Sequence, residues 1–276
     1  MFKSILHCLL AMSALLATLL PFAGHAAEST ASIASTASSK LPKVLVVMTN
    51  HAKYPSRDDT TGLWLTELTH VHDTLLAAGY AVDFVSPSGG AIPLDERSLG
   101  WLYTDREARA HLQDPAFMAK LQSTRAPADV NPADYVAIFY TGGHGTMWDF
   151  RDNTALQSVA ERIYRQGGIV SSVCHGAAGL LNLRDTQGKP LIAGRRVTGF
   201  SNTEEWLSGV RDQVPFMLQD EMRARGAAYD KALLPFVSHV VVDGRLVTGQ
   251  NPGSSKAVAQ ALVKQLANQA GEVATR

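Results

Sequence analysis

Short apolar runs rich in β-branched residues alternate along this chain with longer segments of helical periodicity. The runs that we predict as strands are 43–48, 81–85, 135–140 and 169–173. The segments that we predict as helices are 62–78, 106–122, 154–166 and 255–267. Because strands that are apolar along both faces must be covered on both sides, this alternation predicts an α/β fold. The expected architecture is a mostly parallel sheet with helices on both faces.

Asp243 and Gly244 separate two further strand-like runs near the C-terminus, 236–242 and 245–248. An Asp-Gly pair between such runs is typical of a two-residue hairpin turn. This predicts a short β-hairpin in addition to the parallel strands. We find no internal repeat and no second domain, so we expect a single domain over residues 42–276.

The first residues have the features of a secretory signal peptide. Lys3 supplies a positive charge ahead of an apolar run over 9–20, and small residues at 24–26 predict cleavage before Ala27. An uncleaved membrane anchor is the alternative, but the apolar run is shorter than the ~20 residues that a spanning helix needs. We therefore expect residues 1–26 to be removed on export to the periplasm.

Residues 27–41 are mostly Ala, Ser and Thr without periodicity, which predicts a flexible segment ahead of the domain. Lys plus Arg and Asp plus Glu each number 25, and no segment carries a cluster of basic residues. Nucleic acid is therefore not an expected partner. After processing, no remaining stretch predicts a membrane attachment.

The cysteine content is informative because the chain has only Cys8 and Cys174. Cys8 lies in the predicted signal peptide, so the mature protein keeps Cys174 alone, although export favours disulfides. An unpaired thiol in such a protein is either a small buried hydrophobe or a reactive group. Its neighbours distinguish the two.

Cys174 lies at a predicted turn between the strand 169–173 and a helix. Ser172 and Gly176 are small residues two positions on either side, as a nucleophile elbow requires, because its strained turn brings the flanking backbones together. The N-terminus of the helix and the adjacent His175 would both favour the thiolate. The pattern predicts a reactive nucleophile; the alternative is a core cysteine that ends a buried strand.

With its flanking residues, this turn resembles the ThiJ/PfpI superfamily, the class I glutamine amidotransferase-like proteins. The resemblance is strongest to the branch that contains glyoxalase III enzymes and heat-shock chaperones. Besides VCHG at 173–176, it is carried by TGLWLTE (61–67), VDFVS (82–86), GHGT (143–146), PLI (190–192), VTGF (197–200) and DGRLVTG (243–249). It covers residues 42–266 and implies a flavodoxin-like sheet and a homodimer.

The resemblance also implies partners for the thiol. By periodicity alone, Glu67 lies at the edge of an apolar helix stripe, where a glutamate is usually solvated. The resemblance instead implies that Glu67 lies beside the sulfur as a general acid and base, a role that a buried carboxyl with a raised pKa suits. It implies that the acid of a Cys–His–acid triad follows the run 197–200. Counting from there favours Glu205 over Glu204 as the residue that orients His175.

Two glycines and a histidine after the third strand are candidate pocket residues. The backbone N–H groups of Gly142 and Gly143, with that of His175, are candidate donors to a developing oxyanion. The alternative is an ordinary turn. His144 resembles a pocket residue of the family, although a lone histidine is also compatible with simple packing.

Together these residues predict a glyoxalase III-like enzyme that converts a 2-oxoaldehyde such as methylglyoxal to a 2-hydroxy acid such as lactate. The rearrangement is internal and no GxGxxG fingerprint occurs, so no cofactor is expected. His70 and His72 do not share a helix face, so no metal site is expected. The alternatives are a stress-related holdase chaperone that binds unfolded clients, a thiol oxidation sensor, and a cysteine peptidase or amidase. A glutamine amidotransferase is disfavoured because the chain has no synthetase domain.

Overall fold

The computed structural model describes residues 41–274. The signal-peptide prediction and nearly all of the segment 27–41 lie outside the described residues. The strands are β1 Lys43–Val47, β2 Ala81–Val85, β3 Tyr135–Tyr140, β4 Ile169–Val173, β5 Arg196–Val197, β6 Ala228–Tyr229, β7 Val240–Asp243 and β8 Leu246–Gly249. The α-helices are α1 Leu65–Ala77, α2 Arg106–Gln113, α3 Pro115–Gln122, α4 Thr146–Asp149, α5 Thr154–Arg165, α6 Asn202–Leu207, α7 Leu218–Ala224 and α8 Ser255–Ala274.

Six of these strands form one sheet in the order β2-β1-β3-β4-β8-β7. All neighbours are parallel except the edge strand β7, which pairs antiparallel with β8. Strands β5 and β6 form a separate parallel pair. The predicted fold class, a mostly parallel sheet with a C-terminal hairpin, is confirmed.

The connections between strands explain where the helices lie. The chain runs from β1 through α1 to one edge of the sheet, but from β3 through α5 towards the other edge. Because such crossovers are right-handed, α1 and α5 cover opposite faces. Helix α8 packs against α1. The sheet is therefore buried on both sides, which is why residues 44–47 of β1 are wholly apolar and inaccessible to solvent.

The prediction of one continuous helix over 106–122 is wrong, because the helix is interrupted at Asp114 and forms α2 and α3. Pro115 lacks an N–H and is tolerated only in the first turn of a helix. The Asp114 side chain accepts from the N–H of Ala116 at 2.9 Å and so caps the second helix. Among the described residues, none of the helices is both long and apolar enough to cross a bilayer.

The predicted hairpin is present, but its first strand begins at Val240 rather than at residue 236. Phe236 has a φ of +62°, which is incompatible with an extended strand. Gly244 has a φ of +57° and supplies the left-handed conformation that the turn needs.

Candidate active site

Cys174 follows the end of β4 directly and has a φ of +57°. For a non-glycine residue this conformation costs on the order of 1–3 kcal/mol and persists only where the surroundings impose it. Gly176 lies so close to the carbonyl groups of Tyr140 and Thr141 that a Cβ would collide with them. The turn therefore has the strain and the close backbone contact expected of a nucleophile elbow. The helix predicted after the turn is present as a 3-10 helix over Cys174–Leu180.

The structure brings the three candidate triad residues together below the surface. The Sγ of Cys174 lies 3.3 Å from Nδ1 of His175, and Nε2 of His175 lies 2.7 Å from Oε2 of Glu205. All three residues are at most 2% exposed. The two distances are within the range of a nucleophile, its base and an orienting acid.

Glu204, the alternative candidate for the acid, is occupied elsewhere. Its Oε2 accepts from the backbone N–H and the hydroxyl of Ser201, which forms a capping box at the start of α6. Its Oε1 accepts from Nδ2 of Asn251 at 2.8 Å. The successive glutamates point in different directions, and only Glu205 reaches His175.

Glu67 is fully buried beside the thiol rather than solvated at the edge of α1. Burial raises the pKa of its carboxyl from 4.5 to about 8, and this rise is partly opposed by the Cys174 thiol and the N–H of Gly142. Neither carboxyl oxygen has a hydrogen-bond partner of good geometry, so burial prevails. At neutral pH Glu67 is therefore mostly protonated.

The pKa of the Cys174 thiol shifts in the direction opposite to that predicted from the sequence. Burial raises it well above 9, and the negative charge of an ionised Glu67 raises it further. The backbone N–H of His175 opposes this rise without overcoming it. When Glu67 is protonated its contribution disappears. The thiol and this carboxyl therefore behave as a coupled pair that resists holding two negative charges.

His144 adds a second imidazole to the network. Its Nε2 lies 2.9 Å from Oε1 of Glu205, and its ring centroid lies 4.0 Å from that of His175. Burial, together with positive charge on His175, lowers the pKa of His144 to about 4. Burial alone would raise the pKa of Glu205, but the two histidines hold it well below its usual range. Glu205 is therefore a carboxylate shared by two imidazoles.

Arg97 and Asp95 extend this network, and the sequence reasoning missed both. Nη2 of Arg97 donates to Nδ1 of His144 at 2.8 Å. This donation makes Nδ1 an acceptor, so the Nε2–H of His144 donates to Glu205. The Arg97 guanidinium is held in turn by the fully buried Asp95, at 2.9 Å, and by the hydroxyl of Tyr54. These residues lie between recognisable elements, in segments without periodicity, and nothing in the sequence marks them.

The two glycines after β3 occupy different positions. Gly142 is not among the residues that line the cavity; it lies between Glu67 and Cys174, where a Cβ would collide with Oε2 of Glu67 and with the Cβ of Cys174. Gly143 lines the cavity and has a φ of +101°, and a Cβ there would collide with the carbonyl group of Gly62. Close backbone approach therefore requires glycine at this turn.

A cavity of about 660 Å³ opens in front of these groups. Its polar side is formed by Cys174, His175, His144 and Arg97. The apolar side chains that line the rest of the cavity, which we call the apolar wall, are Trp64, Tyr103, Phe200, Leu207, Phe236 and Pro252. A concave, mostly apolar cavity with a few convergent polar groups is typical of a small-molecule site.

Three clusters in the described part of the chain have enough donor atoms, within 4.8 Å of one another, to hold a metal ion. In the triad cluster, the donor atoms of His144, His175 and Glu205 are already hydrogen-bonded to one another. His70 and His72 belong to different clusters, because His70 pairs with Asp105 and His72 pairs with Asp73. These two histidines therefore do not converge on a common site.

The raised pKa of Glu67 predicts that the protein loses stability as the pH rises. Between pH 4.5 and about pH 8 the folded chain holds a proton that the unfolded chain has released, so the free energy of unfolding falls with pH. Glu67→Gln removes this dependence. We expect the variant to exceed the wild type by on the order of 2–4 kcal/mol at about pH 8 and to match it near pH 4.5. Urea unfolding at both pH values measures this, and parallel profiles for the two proteins would contradict it.

A strained cysteine turn at the carboxyl edge of a mostly parallel sheet, with a histidine and a buried carboxyl beside it, defines a cysteine-centred class of α/β proteins. Residues 60–265 match the model of the DJ-1/PfpI family. The chain belongs to this family. The resemblance drawn from the sequence is thereby confirmed.

Within that family, the chain is similar to proteins named as glyoxalases. It is 35% identical over 234 residues to the glutathione-independent glyoxalase HSP31 of Saccharomyces cerevisiae, which covers 82% of this chain and 98% of the yeast protein. The crystal structure of glyoxalase III from Candida albicans is 30% identical with a TM-score of 0.76, covering 81% and 97% of the two chains. The Rapid Encystment Protein of Francisella tularensis is 38% identical with a TM-score of 0.78, covering 82% and 99%.

Proposed function

We propose that this protein is a cofactor-independent glyoxalase III-like enzyme that converts a 2-oxoaldehyde such as methylglyoxal to a 2-hydroxy acid such as lactate. The observation that carries the proposal is the interaction of Cys174, which lines the cavity, with the buried carboxyl of Glu67. A nucleophile and a carboxyl that is protonated at neutral pH but can give up its proton are the two groups that an internal rearrangement needs. The similarity to proteins named as glyoxalases supports the same activity.

The first step joins the thiol to the aldehyde. His175 takes the proton of Cys174 while the sulfur forms a bond to the aldehyde carbon. The electrons of the carbonyl bond move to its oxygen, which takes the proton of Glu67. The product is a hemithioacetal, and the proton transfer avoids two adjacent negative charges on the coupled pair.

The second step moves hydrogen between the two carbons. The Glu67 carboxylate removes the proton from the former aldehyde carbon, and the ketone oxygen takes the proton of His175, which gives an enediol. Glu67 then protonates the second carbon, and His175 recovers a proton from the first hydroxyl. The result is a thioester of a 2-hydroxy acid with no net change in oxidation state.

Hydrolysis completes the cycle. Water adds to the thioester carbon and gives a proton to Glu67, while the departing sulfur of Cys174 recovers a proton from His175. Glu205 orients the imidazole throughout and stabilises its positive charge. The Arg97–His144 pair fixes the second oxygen of Glu205 and limits its rotation.

Product analysis tests the proposal. Purified protein that begins at Ala27 is incubated with methylglyoxal, without glutathione, and lactate is followed by proton NMR. We expect lactate to appear in proportion to the aldehyde consumed. Loss of aldehyde without lactate would contradict the proposal, and cleavage of amide or peptide substrates in its place would favour a cysteine hydrolase.

His175 and Glu205 should act as one unit. Because residues with a shared role are strongly non-additive, His175→Ala and the double variant with Glu205→Ala should lose similar fractions of kcat, about 10²–10⁴-fold. Glu107→Gln is the control, since this exposed carboxyl of α2 lies outside the cavity, and it should leave the function of His175 intact. Steady-state lactate release measures all three. Fully additive losses would contradict the triad.

Export to the periplasm is part of the proposal and is supported by the sequence features of residues 1–26. Expressed with its full N-terminus in a bacterium, the protein should fractionate with the periplasm and begin at Ala27 or within two residues of it. Intact-mass measurement of the purified material decides this. A full-length mass in the membrane fraction would contradict cleavage.

Exposed apolar side chains support a second candidate function, a holdase for unfolded proteins. Trp101 is 83% exposed, Leu233 94% and Trp206 65%, and exposed apolar patches commonly mark interaction surfaces. Suppression of the aggregation of a heat-denatured client by both wild type and Cys174→Ala would support it.

We also propose a homodimer whose interface covers part of these exposed apolar side chains. A monomer in sedimentation velocity at micromolar concentration would contradict the homodimer.

A further inference from the structure

The cavity is large for the smallest 2-oxoaldehydes. Cavities of roughly 300–1,000 Å³ ordinarily bury drug-sized ligands, and this cavity measures about 660 Å³. Methylglyoxal carries only a methyl group beside its two carbonyl groups. The groups on the polar side of the cavity are sufficient to bind both carbonyls. The apolar wall then remains without a ligand group to contact it.

Phe236, at the outer end of the apolar wall, has a strained backbone. Its φ of +62° is an outlier for a bulky side chain. Such strain persists where the surrounding structure imposes it, and it is concentrated at ligand sites. Phe236 is 47% exposed, so burial in the core does not account for the conformation.

Two fully buried residues hold Phe236 in this conformation. Oε1 of Glu204 accepts from the N–H of Phe236 at 2.8 Å. Nδ2 of Asn251 donates to the same oxygen and to the carbonyl group of Val237, each at 2.8 Å. The backbone is therefore fixed on both sides of the strained residue, and the ring forms a rigid end to the wall.

The wall begins at the reacting groups. The Phe200 ring centroid lies 4.2 Å from that of His175 and 6.2 Å from that of Phe236. An aldehyde carbon bonded to Cys174 lies at the imidazole end of this row. A substituent on the neighbouring ketone carbon that extends away from the polar side would run along the two phenylalanine rings.

We infer that the preferred substrates are 2-oxoaldehydes with a bulky apolar substituent on the ketone carbon, and that Phe236 is a specificity-determining residue that contacts this substituent. The inference rests on the proposed function and deepens it. Burial of apolar surface against a preformed wall is worth about 10–200-fold in kcat/KM for even one methylene group.

The test compares initial rates with phenylglyoxal and with methylglyoxal. We expect wild-type kcat/KM to be at least about tenfold higher for phenylglyoxal. Phe236→Asn keeps a residue that tolerates positive φ but removes the ring, and it should lower the ratio of the two kcat/KM values about tenfold. Phe236→Leu keeps a smaller apolar group and should lower the ratio by less. Leu233→Ala is the matched control, because this exposed residue of the same segment is not part of the wall.

A binding measurement separates failure of this inference from failure of the proposed function. Acetophenone and acetone carry the substituents of the two aldehydes, phenyl and methyl, on a single carbonyl group. Neither ketone can rearrange. In titration calorimetry, the wild type should bind acetophenone at least tenfold more tightly than acetone. Phe236→Asn should lose this preference. If this result holds while neither aldehyde is turned over, the proposed function fails, whereas the contact of Phe236 with an apolar substituent on a carbonyl carbon stands. If both aldehydes are turned over at a ratio that Phe236→Asn does not change, the inference is overturned and the proposed function stands.

Discussion

Cys174→Ala should reduce lactate formation from methylglyoxal to the uncatalysed background. The sulfur supplies the covalent bond on which every later step depends, so no partial route through His175 or Glu67 remains. We expect a loss of at least about 10⁴-fold in kcat, which is larger than that from removal of any single proton carrier. Proton NMR of lactate over hours measures residual turnover.

Ser172→Ala is the matched control for this substitution. The residue lies on β4 two positions before the cysteine, and its buried hydroxyl has no hydrogen-bond partner. Its removal should therefore leave turnover near the wild-type value. If Cys174→Ala kept substantial activity while folding normally, the covalent route would be contradicted.

Glu67→Gln should fold and add methylglyoxal at Cys174, because the alkoxide can take back the proton that His175 removed from the thiol, and should then stall. The amide keeps the shape of the side chain but cannot carry a proton between the two carbons. A positioned acid–base group typically contributes 10²–10⁴-fold, and we expect kcat to fall by about that amount. Glu107→Gln, at an exposed residue of α2 outside the cavity, is the control and should retain full activity. Near-normal turnover in Glu67→Gln would remove this residue from the mechanism even if Cys174 proved essential.

The fold could be predicted from the sequence because apolar strands that alternate with helices have few ways to bury both faces. The position of Cys174 could be predicted for a local reason, since a strand, a turn and small flanking residues are continuous in the chain. Glu67 needed the family resemblance, because periodicity alone placed it at the edge of a stripe. In the structure it is fully buried, and that burial is the cause of its raised pKa.

Other features depend on long-range contacts that no local pattern encodes. Arg97 reaches His144 across 47 positions of the chain, and Glu204 reaches Phe236 across 32. The pKa of the thiol was predicted in the wrong direction for a related reason. The helix N-terminus and His175 are visible in the sequence, whereas the desolvation that outweighs them appears only once the chain is folded.

The most direct test of the mechanism is native mass spectrometry of Glu67→Gln mixed with methylglyoxal, beside lactate measurements on the same sample. The mechanism predicts that the protein gains the mass of one methylglyoxal, that the gain is absent from the double variant with Cys174→Ala, and that little lactate forms. Absence of an adduct, or an adduct that persists when Cys174 is replaced, would contradict covalent addition at this thiol followed by proton transfer through Glu67.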